Sequence, residues 1–188
     1  MSALDRSDIW PHLIRALAQL APLAENRAIP AADRSRALEH LDLVSQATNN
    51  LLQRSGLTRY EARLIDSEIA RLRVRFQQPA PPPTNRPGQP PVAMPPASAQ
   101  ATFDRINKLQ SALSHMAETG ECHREVLQCV RRGLESDLAT LSNPQHVATL
   151  PQEMRQRAPG LIRDTQRHLQ TISVQQEIQA AVDTPMGR

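Results

Sequence analysis

Residues 79–96 read PAPPPTNRPGQPPVAMPP, and this stretch decides how the chain is divided. It holds nine of the 16 prolines. Proline has no N–H to give a helix or a sheet ladder, and its ring clashes with the preceding helical turn. An extended, polyproline-like spacer is therefore expected here. The sequence on either side reads as helix. The expectation is an all-α protein of two helical units: a three-helix N-terminal bundle over 1–78, a proline-rich flexible linker over 79–100, and a C-terminal hairpin of long helices over 101–184. The two units can be independent domains or can pack as one.

Outward to the N-terminal side, three amphipathic runs follow the helical period. The first spans about Ser7 to Leu23, with Ile9, Leu13, Leu17 and Leu20 on one face and Trp10 and Ile14 beside them. Trp10 reads as a core or interface anchor. The second spans about Pro30 to Arg54, with an apolar stripe of Leu38, Leu41, Val44, Ala47, Leu51 and Leu52, and Gly56 just past its end. The third opens on Thr58-Arg59-Tyr60-Glu61, a capping box in which the hydroxyl accepts an N–H and the carboxylate reaches back. Leu64, Ile65, Ile69, Leu72 and Phe76 make its buried face.

Outward to the C-terminal side, a helix is expected from near Thr102 or Phe103, with Ile106, Leu109, Leu113 and Met116 on its stripe. Val126, Leu127, Val130, Leu134, Leu138 and Leu141 continue close to the same phase beyond Gly120. The surviving phase favours one long helix with a weak point at Gly120 over two helices. A short helix fits Pro151–Arg157, and a last one Gly160–Val182. On the last helix Leu161, Ile162, Thr165, Leu169 and Ile172 share one face, while Val174, Ile178 and Val182 continue on a shifted one. That shift predicts a change of packing partner near Ser173.

Composition agrees with helices. Aromatics are 2% of the chain and glycines number six. The core must then be built from aliphatic side chains, and the turns that a sheet needs have few residues to form them. The formal net charge is +3, and no segment is basic enough to announce nucleic acid or a membrane surface. No apolar run approaches the roughly 20 residues of a membrane span, and acidic residues occupy the place of a signal-peptide core. Lysine occurs once, at Lys108, against 21 arginines. Codon bias of a GC-rich genome explains that ratio, and delivery into a host that ubiquitinates lysines is compatible with it.

The candidate chemistry is sparse. His115, Cys122 and Cys129 recur every seven residues with His123 adjacent, but along a straight helix such a repeat spreads ligands over about 20 Å, too far for one ion. Cys122 and Cys129 are on the order of 10 Å apart on a helix, beyond disulfide reach. His12, His40, His146 and His168 are scattered. No phosphate loop is present, and Glu118, Glu121 and Glu125 sit with Arg124 as a solvated face. No catalytic, cofactor-binding or metal-binding residue is expected, and no enzymatic activity.

Trp10, Arg59, Arg63, Arg71, Arg73 and Arg75 are the candidate partner-binding residues, the arginines forming a basic row on the third helix. Gly56–Arg63 is similar to the opening of some winged-helix regulators. That fold next needs a recognition helix and a wing, where this chain has its prolines, so the likeness reduces to the capping box. Low aromatic content, scarce lysine and the proline segment resemble the composition of type III secreted effectors and their associated regulators. The expected function is non-enzymatic: a regulatory or interaction protein of a GC-rich Gram-negative bacterium that recognises another protein, or a second copy of itself, through helix faces. It would work in the bacterial cytoplasm or after signal-peptide-independent secretion. The alternatives are a nucleic-acid-associated regulator using residues 59–75, with nucleic acid the less favoured partner, and a host-directed effector enzyme with dispersed catalytic residues.

Overall fold

Aliphatic residues recur at three- and four-residue spacing through most of the chain, and each such run forms a helix. The structure is a computed structural model that describes residues 6–25, 29–54, 56–78 and 96–183. The proline stretch 79–95 and the side chain of Trp10 lie outside the described residues. Among the described residues there are seven helices and no strand: α1 (Arg6–Glu25), α2 (Ala31–Gln53), α3 (Arg59–Gln77), α4 (Pro96–Thr119), α5 (Arg124–Ser142), α6 (Pro144–Ala148) and α7 (Gln152–Asp183). The protein is all-α. None of these helices is long and apolar enough to cross a membrane. The chain divides into two compact units, Met1–Val92 with Gln128–Gly133, and Ala93–Leu127 with Leu134–Arg188.

In the first unit, α1, α2 and α3 pack pairwise on one another. Leu13, Leu17, Leu20 and Ala21 come from α1, Ala37, Leu41, Val44 and Leu51 from α2, and Leu64, Ile65, Ile69, Leu72 and Phe76 from α3. The α2 stripe is rotated slightly from its expected centre. Leu52 is exposed and Leu38 half-buried, while Thr48 is fully buried. Thr48 can take a core position because its Oγ1 donates to Val44 O at 2.9 Å, which satisfies the hydroxyl locally. The capping box forms in full. Glu61 N donates to Thr58 Oγ1 at 3.2 Å and Thr58 N donates to Glu61 Oε2 at 2.9 Å.

In the second unit, α4 and α7 run parallel, because their contacts advance together along both helices. Arg157 reaches Asn107 Oδ1 at 3.3 Å, Gln110 Nε2 donates to Thr165 Oγ1 at 2.6 Å, and Gln175 Nε2 donates to Ala117 O at 2.8 Å. A two-pronged ion pair joins Arg105 of α4 to Asp137 of α5, with Nε to Oδ2 at 2.8 Å. The apolar positions Ile106, Leu109, Leu113 and Met116 are buried, as are Leu134, Leu138, Leu141, Leu161, Leu169 and Ile172.

Three expectations are corrected. First, α4 stops at Thr119 and a new helix starts at Arg124. Gly120 has φ +72°, the left-handed conformation that glycine adopts without a Cβ penalty, and its N–H closes the last turn on Met116 O at 2.9 Å. The continuing apolar phase did not require a continuing helix, since two separately packed helices each need a stripe. Second, Pro159 lies inside α7, which starts at Gln152 rather than Gly160. The preceding QEMRQRA is made of good helix formers. Pro159 is exposed, so solvent can take over the carbonyl that its missing N–H leaves behind. Third, α4 begins at Pro96, where proline suits a first helical turn, and not near Thr102.

Removing the α3 cap isolates one of these local terms. Thr58→Ala is expected to lower unfolding free energy by about 1 kcal/mol, read as a fall in the urea midpoint with an unchanged slope.

Candidate functional site

The arginine row of α3 does not form one basic surface. Arg59 and Arg63 are exposed and gather on Tyr60, with guanidinium carbons 4.9 Å and 6.0 Å from the ring centroid. Arg59 Nη2 also donates to the Tyr60 hydroxyl at 2.9 Å. Such stacking holds a guanidinium at modest strength when exposed. Arg73 pairs with Asp42 of α2, and Arg75 is half-buried.

Arg71, expected on the partner-binding surface, is instead 4% exposed and belongs to the interior. Its Nε and Nη2 donate to Glu68 Oε2 and Oε1 at 2.8 Å and 2.6 Å, and Glu68 is 5% exposed. The i, i+3 spacing places the two groups on one side of α3. They are covered, within the same unit, by Gly133. A Cβ at residue 133 would collide with Glu68 Oε2 and lie 2.7 Å from Arg71 Nε. Glycine is there for close approach to a buried bidentate pair. In the sequence Glu68 and Arg71 look like any solvated pair on a helix, and only their register beside Ile65, Ile69 and Leu72 hinted that they turn inward.

The histidines and cysteines are dispersed. His115 is on α4, Cys122 in the loop after it, and His123 precedes α5. Cys129 is buried, with Sγ donating to Ile14 O at 3.8 Å. The break at Gly120 removes the straight helix on which these residues would repeat. Among the described residues no group of three His, Cys, Asp or Glu is placed to hold a metal ion. His146 Nδ1 lies 3.3 Å from Thr140 O. His168 Nδ1 is buried without a hydrogen-bond partner among the described residues. Asp66 on α3 titrates above its ordinary 3.8 because burial penalises the carboxylate, with Arg73 opposing.

The feature that stands out is the outer face of α7. Leu161, Thr165, Leu169 and Ile172 turn inward, and Thr165 can be buried because Oγ1 donates to Leu161 O and accepts from Gln110. Gln175 and Gln176 then donate to Ala117 O and Cys122 O, at the end of α4 and in the loop. These bonds hold the rotation of α7. At about 100° per residue, Val174 and Ile178 lie about 200–240° around from Ile172, on the opposite side. Val174 is 46% exposed, Ile178 60% and Val182 74%. With steps of four residues they form one ridge about 12 Å long. The sequence showed the shifted phase at Ser173 but not whether another helix would cover it.

No protein-family model, curated protein or solved structure matches the chain.

Three substitutions test the α3 environment. Gly133→Ala is expected to destabilise by about 1–3 kcal/mol through overpacking, and its own added cost should be smaller in a Glu68→Ala background, where the nearer clashing group is gone. Strict additivity in a double-mutant cycle would contradict that contact. Asp66→Asn is expected to raise the melting temperature at pH 7. The folded chain holds the Asp66 proton more tightly than the unfolded chain, so the wild type gains relative stability in acid and loses it as pH rises through the raised value. The advantage of the variant should therefore shrink as pH falls from the raised value towards 3.8 and stay level below it.

Proposed function

We propose that the protein is a non-enzymatic helical interaction protein and that the outer face of α7 is its binding surface. The observation that carries this reading is the exposed ridge Val174, Ile178 and Val182 on a helix whose other face is already occupied by α4. Scattered surface aliphatics are ordinary, but an aligned row on one helix face is the form in which helix-in-groove and helix-pair recognition present their anchors. Burying Ile178, at the middle of the ridge, in such a contact removes a branched side chain from water. Inside the chain, the bonds of Gln175 and Gln176 present the ridge on a helix whose rotation is fixed, which lowers the ordering cost of docking.

A nucleic-acid reading draws less support from these side chains. Arg71 is interior, Arg73 is paired with Asp42, and Arg59 and Arg63 are engaged by Tyr60.

The test is affinity capture from cells of the source organism with the full chain as bait. Ile178→Asp is expected to lose the captured protein while Arg59→Ala/Arg63→Ala retains it, and the capture should tolerate added salt. Loss with the arginine variant, together with a steep salt dependence, would replace this reading by the nucleic-acid one.

A further inference from the structure

We infer that the partner of the α7 ridge is a second copy of the same chain, crossed antiparallel about a two-fold axis at Ile178. The inference rests on the reading of that ridge as an interaction surface and names its occupant.

The pattern of the ridge is the first ground. Val174, Ile178 and Val182 form a palindrome: the same β-branched residue stands four positions before and four positions after Ile178. A two-fold interface requires a patch that is complementary to itself, residue i meeting residue j while j meets i. A two-fold axis perpendicular to α7 at Ile178 sets Ile178 on Ile178 of the other copy and Val174 on Val182 in both directions. The three exposed side chains all find apolar partners, and none is left over.

The spacing is the second ground. A ridge built on i, i+4 steps packs into the matching groove of another helix at a crossing angle of about −50°. Such a crossing concentrates contact near one point, which suits a ridge of about 12 Å and does not call for the three or more heptads of a coiled coil. Ala181 is exposed beside the ridge and adds no bulk to keep two backbones apart.

Charge is the third ground. From Leu169 to Val182 the single charged residue is Glu177, and the polar positions are otherwise Gln170, Thr171, Ser173, Gln175, Gln176 and Gln179. Glu177 is about 100° around the helix from Ile178 and so off the ridge. Helix faces that select a different chain commonly do so with complementary flanking charges, and repel the wrong partner by the same means. The ridge itself carries no charge that would select a different partner, and Glu177 of each copy lies to its side. The patch is small beside the roughly 1,000 Å² of a stable interface, so the expected association is weak, with a dissociation constant on the order of 10–100 µM.

The experiment is sedimentation equilibrium of the full chain from about 1 µM to about 500 µM, a range chosen to bracket that constant. The weight-average mass should climb from the 20.9 kDa of the monomer towards twice that value. Ile178→Asp, with an unchanged helical circular dichroism spectrum, should weaken the association about tenfold or more. Geometry is read separately by disulfide trapping in a Cys122→Ser background. Ile178→Cys should cross-link to itself, Val174→Cys should link to Val182→Cys when the two proteins are mixed, and Val174→Cys alone should link poorly. A wild type that stays monomeric throughout overturns the inference, as does a dimer that Ile178→Asp leaves intact or self-linking of Val174→Cys that outpaces Ile178→Cys. A monomeric wild type from which Ile178→Asp still removes a captured protein would sink the self-pairing alone and leave the proposed function standing. Capture that Ile178→Asp does not affect would sink that function.

Discussion

The parallel pairing of α7 with α4 is the interaction on which the functional reading depends, because a helix that docks one face thereby presents the other. The pairing begins with apolar packing at Leu161, Leu169 and Ile172. Apolar contact alone leaves a helix free to roll by part of a turn. Polar bonds are directional and remove that freedom: Thr165 receives Gln110, and Gln175 and Gln176 reach the carbonyls of Ala117 and Cys122. Each replaces a bond to water and so adds only about 1 kcal/mol net. Their larger effect is on register, since a roll of α7 would break all three bonds and leave the buried Thr165 without Gln110. With α7 held in that rotation, Val174, Ile178 and Val182 face outward.

A second polar device acts in the other unit. Glu68 and Arg71 form a bidentate pair in a core otherwise made of aliphatics. Such a pair adds little net stability over a well-packed apolar pair, because desolvation of both ions offsets their attraction. Losing one partner is far more costly, since the other is left charged and buried. The pair therefore makes wrong packings expensive, and Gly133 supports the same selection sterically by excluding any side chain from that contact.

Helix existence and core identity were legible in the sequence because both follow from the 3.6-residue period. Leu64, Ile65, Ile69, Leu72 and Phe76 could be read directly, and so could the Thr58–Glu61 capping box, whose partners lie three residues apart. What could not be read depends on contacts distant in sequence or on a contest between local terms. Gly120 pitted a surviving apolar phase against the ease of a left-handed cap, and the cap prevailed. Pro159 pitted a missing donor against a run of good helix formers next to solvent, and the helix continued. Charge alone places Arg71 at the surface, whereas its cover comes from Gly133, 62 positions later in the chain. The ridge on α7 was visible as a phase shift, but its exposure depends on where α4 ends.

The central claim is that the outer face of α7 is an interface. Amide hydrogen exchange followed as a function of protein concentration tests it most directly. Beyond Gln176 the helix has exposed side chains through Val182, and an uncovered helix end frays readily. Exchange over 177–182 should slow as concentration rises, while 161–172, already packed on α4, should not change. Exchange over 177–182 that stays equally fast at every concentration, and when a captured partner is added, would contradict an interface on this face.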